Sequence, residues 1–315
     1  MQANPMEKMF IRMVRKISED IPSIPQADAH DEQKQIKLKL QKHLNKAEKF
    51  AMLSYEGEVR NVMAVCNLRF EGDFESAAAN LQRGQACAKQ ANNVDLELRI
   101  LNTIAGLEML THDYDSAVDI YQQIIALINH ENFTTPHIYL LPAHLNIAGN
   151  LARKGMWSEL KKQIDQFHKL IENIGISSAE RRTYARAIYY MRILETQVAL
   201  AYGNDDTIES KIRLIEELAL QLQEKDVERY LSPFEQLQAL FSTRDEDAFL
   251  EWYSDFKNNR SINLFDHSTY ACILQKRGYE ALATTFAKDI LRETSTETQQ
   301  ATYKQDLSVA GIQGI

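Results

Sequence analysis

The most regular set of side chains able to bind a metal is three histidines at intervals of seven residues, His130, His137 and His144. On one unbroken helix this spacing would bring them to the same side at every second turn. Pro136 and Pro142 interrupt that register, because proline removes a backbone donor and clashes with the preceding turn. We therefore expect no metal site here.

Paired acidic residues could supply a general acid and a general base. Such groups occur at Asp205 and Asp206 and in the run 245–247. Both lie where the pattern predicts turns between helices, and acidic side chains at these positions cap the following helix and interact favourably with its dipole. His168 and Glu172, four residues apart, are typical of a surface pair on one helix. We interpret all of these groups as structural.

Nucleophilic and phosphate-binding motifs are missing from the sequence. The three cysteines, Cys66, Cys87 and Cys272, are scattered and form no Cys-x-x-Cys pair, so neither a zinc site nor a disulfide framework is indicated. We expect Cys66 and Cys87 to be small core residues. There is no His-Glu-x-x-His, P-loop, dinucleotide-binding or Gly-x-Ser-x-Gly motif. The sequence thus favours a protein that is not an enzyme and that uses no cofactor.

Composition indicates that the elements carrying these side chains are helices. The chain has 315 residues, of which 44% are hydrophobic and 25% charged. Only 11 Gly and 6 Pro occur in this length, too few for the turns of an all-β protein. Good helix formers dominate. We expect an all-α fold.

Charge limits the class of partner. The net charge of −8 argues against direct nucleic-acid binding, which requires a basic face. Residues 201–256 carry 14 acidic and five basic side chains, whereas residues 34–49 carry six lysines. The acidic stretch could steer a basic partner, but a solvated helix face is the preferred interpretation.

The sequence shows neither a secretory signal nor a membrane span. Arg12, Arg15 and Lys16 interrupt the apolar residues near the start, and the longest uncharged stretch, 132–152, contains two prolines and several polar residues. We expect a cytoplasmic protein.

A turn motif recurs along the chain and predicts the architecture. It begins at Gly72, His112, Gly155 and Gly203, with spacings of 40, 43 and 48 residues, and most copies contain an acidic residue or an aromatic followed by a small or apolar one. A period of this length is typical of stacked helical hairpins, each of which buries its apolar face against its neighbours. The sequence therefore predicts an α-solenoid of stacked antiparallel helix hairpins.

The apolar pattern divides the chain into an N-terminal amphipathic helix or arm within 1–24, a solenoid over 34–292 and a mobile tail over 293–315. The arm either packs on the first repeat or detaches to dock on a partner, a membrane surface or the protein's own groove. Within the solenoid we predict one long helix, 34–56, followed by helix pairs. The pairs are 58–70 with 74–91, 95–110 with 114–129, 138–153 with 157–173, 179–202 with 207–225, 228–242 with 245–258, and 267–277 with 279–292.

The repeat resembles the tetratricopeptide repeat, in which a small residue, a Gly-acidic-aromatic turn and an alanine recur. The residues that carry the resemblance are Gly72, Asp73, Phe74 and Ala77, then Ala105, Asp113, Tyr114 and Ala117, then Ala148, Gly155 and Trp157. The period exceeds the usual 34 residues and later units are degenerate, as in the long-repeat bacterial regulators that include maltose-activator-type transcription factors and peptide-pheromone receptors. A HEAT-like stack is the alternative α-solenoid.

The resemblance implies a concave groove lined by the first helix of each hairpin. Carrying its register over gives the candidate binding residues Arg69, Arg99, Asn102, Asn146, Arg153, Tyr190 and Gln197. An asparagine amide can both donate to and accept from an extended peptide backbone, and the arginines could pair with carboxylates. The lysine- and asparagine-rich clamp that binds chaperone C-termini in this family is absent.

These observations give a leading function and an alternative. The first is a non-catalytic protein that binds a protein or peptide segment in its groove, with no direct role for nucleic acid. The alternative is a cytosolic regulator that responds to a ligand or peptide and acts through a partner protein. A membrane-surface adaptor that uses the 5–20 helix is a third hypothesis.

Overall fold

The computed structural model describes residues 5–21, 30–130, 137–174, 178–224, 227–259 and 264–315, and in this part of the chain it is an all-α helical-repeat solenoid. A π-helical turn, Asn67–Glu71, extends α3, and a 3₁₀ turn, Asp205–Thr207, precedes α10. The helices are α1 (Pro5–Asp20), α2 (His30–Lys49), α3 (Leu53–Cys66), α4 (Phe74–Gln90), α5 (Val94–Leu110), α6 (Tyr114–His130), α7 (His137–Arg153), α8 (Trp157–Ile174), α9 (Ser178–Tyr202), α10 (Ile208–Leu222), α11 (Glu228–Thr243), α12 (Glu246–Asn259), α13 (Leu264–Lys276), α14 (Glu280–Glu293) and α15 (Glu297–Val309).

The predicted turns coincide with backbone in the left-handed region. Gly72, Gly155 and Gly203 have φ of 62°, 65° and 74°, and His112 has 64° at the equivalent position. Helix α4 then begins with a side-chain cap, in which Asp73 accepts a hydrogen bond of 2.9 Å from the Ser76 amide. Glycine ends the preceding helix without steric cost at three of these four turns, and at the first of them Asp73 starts the next helix.

Two of these glycines allow a matched test of the turn. We expect Gly72→Ala to lower the free energy of unfolding by about 1 kcal/mol, because an L-residue is strained at positive φ and no atom lies within 4 Å of the added Cβ. Gly155→Ala should cost about 2–3 kcal/mol, since its Cβ would also meet the Cβ atoms of Cys272 and Ala310 at 3.1 and 3.2 Å. Urea unfolding of the full chain measures both. Equal losses would contradict the close packing assigned to Gly155.

The contacts divide the chain into two compact units, Met1–Phe133 and Thr134–Ile315. In unit 1, helix α3 packs against α1, α2 and α4, and α5 packs against α3, α4 and α6. The predicted 34–56 helix is wrong at its end: α2 stops at Lys49, Ala51 has φ of 51°, and α3 begins at Leu53. This break lets α2 and α3 form a hairpin.

Helix α1 is part of the core of unit 1 rather than a free arm. The Phe10 ring stacks on Tyr55 with centroids 5.3 Å apart, and Val14 is fully buried. The carboxylate of Glu7 accepts a hydrogen bond of 3.2 Å from the Tyr55 amide. That bond satisfies one of the backbone donors at the start of α3, which have no partner inside the helix.

Unit 2 contains α7 to α15. Helix α9 packs against α7, α8, α10 and α11, and α13 packs against α14 and also against α7 and α9. Helix α13 therefore covers part of the surface formed by the first helices of the preceding hairpins.

The region predicted as a mobile tail, 293–315, contains a further helix. Residues 297–309 form α15, which contacts α13 and α14 and buries Tyr303 and Leu307. Ile312, just after the helix, is buried as well. The Thr296 side chain caps this helix by accepting a hydrogen bond of 3.1 Å from the Gln299 amide.

In the described part of the chain, none of the helices has both the length and the apolarity needed to cross a bilayer.

Candidate binding face

The predicted candidates in unit 1 lie on or beside α5 and at the end of α3. Asn102 is exposed on α5, and Arg99 is half-buried one turn before it. Arg69 is half-buried in the π-helical turn. The structure thus leaves at least one candidate, Asn102, exposed on this unit.

In unit 2 the predicted candidates are much less accessible. Arg153 and Gln197 are buried, so neither the Arg153 guanidinium nor the Gln197 amide lines a surface groove. The Asn146 amide is half-buried and donates a hydrogen bond of 2.9 Å to the Pro142 carbonyl of its own helix. Tyr190 is half-buried, with its ring edge-on to those of Tyr189 and Tyr230. The structure does not bring these four together as a groove.

Arg153 requires a correction because its role is internal. Its guanidinium pairs with the Asp306 carboxylate of α15 and lies over the Tyr303 ring, with the guanidinium carbon 5.6 Å from the centroid. The Ser268 hydroxyl donates a hydrogen bond of 3.0 Å to the Arg153 carbonyl. Arg153 therefore holds α15 and α13 against α7 and is not available to bind a partner in this structure.

Unit 1 instead contains a polar face centred on Glu58 of α3. Its Oε1 atom accepts hydrogen bonds from Arg15 Nε of α1 at 3.3 Å and from Arg99 Nη1 of α5 at 2.5 Å. Asp95 on α5 pairs with the same two arginines at 3.4 and 3.2 Å. Glu58 is buried, whereas the side chains of Arg15 and Asp95 are about half exposed. Helices α1, α3 and α5 thus meet at one ion-pair network.

Two acceptor atoms on α3 have no hydrogen-bond donor among the described residues. They are Oε2 of Glu58 and Oδ1 of Asn61, one turn further along the same helix. Arg99 and Asn102 follow these two residues by 41 positions, so Glu58/Asn61 and Arg99/Asn102 occupy equivalent places in successive repeats. Both atoms are buried, and a buried acceptor is ordinarily satisfied by protein groups or by ordered water, so these two atoms do not by themselves indicate an external ligand.

We call Arg15, Glu58, Asn61, Arg99 and Asn102 the α1–α3–α5 face. Sequence reasoning placed Arg99 and Asn102 here but missed the other three. The signal that could have found Glu58 and Asn61 is the repeat offset of 41 residues. Counting back by this offset from Arg99 and Asn102 on α5 gives Glu58 and Asn61 on α3. Arg15 carries no such repeat signal, because it comes from α1.

A second charged cluster on α3 is structural. The Glu56 carboxylate accepts hydrogen bonds of 2.9 Å from Arg60 and 3.1 Å from Arg83. Burial alone would raise the pKa of Glu56, but the bonds and charges of the two arginines outweigh it and hold that pKa below its usual range. This cluster ties α3 to α4.

In unit 2 a cluster of aromatic and charged side chains joins α9, α11 and α13, the first helices of three successive hairpins. The Arg229 guanidinium of α11 lies 4.5 Å from the Tyr230 ring centroid and pairs with Asp266 of α13 at 3.6 Å. Tyr190 of α9 lies edge-on to Tyr230, with centroids 6.4 Å apart. Burial raises the pKa of Asp266 to about 6, although the Arg229 charge opposes that shift. The cluster is mostly buried and ties the three helices together.

The groups that could have carried other chemistry have structural neighbours. The Asp245 carboxylate accepts a hydrogen bond of 3.0 Å from the Ala248 amide, which confirms its predicted capping role. Asp205 accepts two hydrogen bonds of 3.0 Å from Arg277. His168, predicted to pair with Glu172, bonds Glu195 of α9 instead. In the described ranges no group of three or more His, Cys, Asp or Glu side chains is placed to hold a metal ion.

The thiols lie in the core, as predicted for two of them. Cys66, Cys87 and Cys272 are all buried and unpaired. Burial raises the thiol pKa of Cys66 to about 12, that of Cys87 to about 11 and that of Cys272 to about 12. A thiol with a raised pKa carries little thiolate at neutral pH and is a poor nucleophile.

Neither a protein-family model nor a curated protein sequence matches this chain. The geometry of the α1–α3–α5 face is therefore the basis for the functional proposal.

Proposed function

We propose that this chain is a non-catalytic helical-repeat protein that binds a protein or peptide segment on the α1–α3–α5 face. The observation that carries the proposal is the exposed amide of Asn102 on α5, on the same unit as an ion-pair network in which the side chains of Arg15 and Asp95 are about half exposed. A peptide backbone presents N–H donors and C=O acceptors at regular spacing, so it can pair with the Asn102 amide, which both donates and accepts.

The architecture supports the same role. Successive first helices of a helical-repeat stack form extended surfaces that bind partners along their length. We also propose that the repeat is of the tetratricopeptide type, on the strength of the left-handed turn residues and of the small residues Ala77, Ala117 and Ala148, all fully buried. A cytoplasmic location is part of the proposal and is supported by three unpaired thiols.

The test is selection from a random-sequence peptide library displayed on phage, followed by calorimetric titration of the enriched peptide. We expect the double variant Asn61→Ala, Asn102→Ala to bind that peptide at least about tenfold more weakly than the parent, because each lost amide removes hydrogen bonds to the ligand backbone. Circular dichroism and the unfolding temperature check that the variant remains folded.

The matched control is Asn146→Ala, which removes an asparagine amide bonded to its own helix in unit 2. It should leave the affinity unchanged. A double variant that binds like the parent would show that the face is wrongly placed. A library that yields no specific binder would contradict peptide binding itself.

A further inference from the structure

Helix α1 carries a row of three methionines that are about half exposed. Met6, Met9 and Met13 are 53%, 51% and 49% exposed, although α1 as a whole is well packed. They recur at i, i+3 and i+7, so they form a narrow stripe with about one residue per turn. We call these three residues the methionine stripe.

The methionine stripe is distinct from the faces of α1 already described. The core of unit 1 uses Phe10 and Val14, which are buried and lie about 40–140° around the helix from the methionines, so the stripe flanks the buried face of α1. Arg15, which joins the α1–α3–α5 face, lies roughly 200° around the helix from Met13 at about 100° per residue. A ligand on the stripe therefore need not touch the α1–α3–α5 face.

Positive charge borders the stripe. Arg12 is exposed and follows Met9 by three residues. Lys16 is also exposed and follows Met13 by three residues. Neither forms an ion pair with a described residue, in contrast to Arg15. The stripe is thus a basic, apolar strip on a chain of net charge −8.

We infer that the methionine stripe docks an amphipathic α-helix of another protein, one whose apolar seam is flanked by carboxylates. Methionine is flexible and polarisable and is favoured where a surface must adapt to a partner helix. Anchors at i, i+3 and i+7 match the seam of a helix laid alongside another. Arg12 and Lys16 supply the complementary charge for the carboxylates.

A helix fits this surface better than a membrane does. A helix that lies in the membrane interface buries a broad apolar face among the lipids. The broad apolar face of α1 is already packed on α3, and the three methionines leave only a narrow stripe. The spacing of one anchor per turn is the pattern for packing against another helix.

The test uses two synthetic helical peptides of equal length with the same leucine seam, one flanked by glutamates and the other by lysines. Fluorescence anisotropy with the full chain should show binding of the glutamate peptide at least about tenfold tighter than that of the lysine peptide. The double variant Met9→Glu, Met13→Glu should weaken this binding at least about tenfold. Leu220→Glu, at a residue of α10 that is 80% exposed, is the control and should have no effect.

Three results would overturn the inference: equal binding of the two peptides, no binding of either, or unchanged binding by the Met9, Met13 double variant. Methionine-dependent co-sedimentation with phosphatidylserine vesicles would assign the stripe to a membrane instead, and a methionine-dependent dimer in analytical ultracentrifugation would assign it to a second copy. The Asn61→Ala, Asn102→Ala variant should still bind the glutamate peptide, so failure here is distinguishable from failure of the proposed function.

Discussion

Replacing Asp306 with alanine is expected to lower the free energy of unfolding of unit 2 by about 3–5 kcal/mol. The reason is that Arg153 is fully buried and would lose the carboxylate with which its guanidinium pairs. Lys154, whose Nζ lies 3.7 Å from the second Asp306 oxygen, would lose that contact as well. Urea unfolding gives the size of the loss, and amide hydrogen exchange over 297–309 shows whether α15 opens first.

The control for this prediction replaces both partners. The double variant Arg153→Met, Asp306→Leu removes the charges and retains apolar volume, so it should recover most of the stability lost by Asp306→Ala. If the alanine variant unfolded like the parent, the buried pair would not be what holds α15 in place. If the double variant were as unstable as the single one, shape rather than charge would explain the loss.

The second large effect concerns pH and Asp266. Burial raises the pKa of this carboxyl from 3.8 to about 6 in the folded state, so between pH 4 and 6 the folded chain binds more protons than the unfolded chain. The free energy of unfolding therefore falls as pH rises through that window. Above pH 6 the folded state bears the full cost of burying the ionised Asp266 carboxylate. The shift corresponds to about 3 kcal/mol.

Asp266→Asn removes the ionisation and should raise the free energy of unfolding at pH 7 by up to about 3 kcal/mol, with little change at pH 4. The charged or ionisable groups that interact with Asp266 include Arg229, Tyr230 and Tyr270, and His267 is adjacent in sequence. Thermal unfolding at both pH values measures the difference. Glu251→Gln, at an exposed acid of α12, is the control and should show no such dependence. A lower stability of the Asn variant at pH 7 would mean that the Arg229 pair outweighs the burial cost.

The helical hairpins were predictable because their signals are local. The turn at Gly155 combines a left-handed residue with the start of an amphipathic helix, and both can be recognised within a few residues. The break after Lys49 was missed because it relies on Ala51 in the left-handed region, and alanine gives no turn signal. Helix α15 was missed because it has few apolar residues and its buried face includes the charged Asp306.

The candidate site was only partly predictable for a related reason. Asn102 and Arg99 follow from the repeat register, which is local to each hairpin. Arg153 has the same register, but its environment is decided by Asp306, a residue far along the chain. A repeat pattern assigns the side of a helix, and it does not indicate what later parts of the chain cover that side.

The long separation between Arg153 and Asp306 has a consequence for how the chain folds during synthesis. In unit 1 each helix contacts the next helix or the next but one along the chain, so these contacts can form as the chain leaves the ribosome. Asp306 follows Arg153 by 153 residues, so α7 emerges long before the partner that neutralises its buried cation. Unit 2 should therefore complete its core only after translation of α15, and its nascent form should depend on chaperones for longer than unit 1 does.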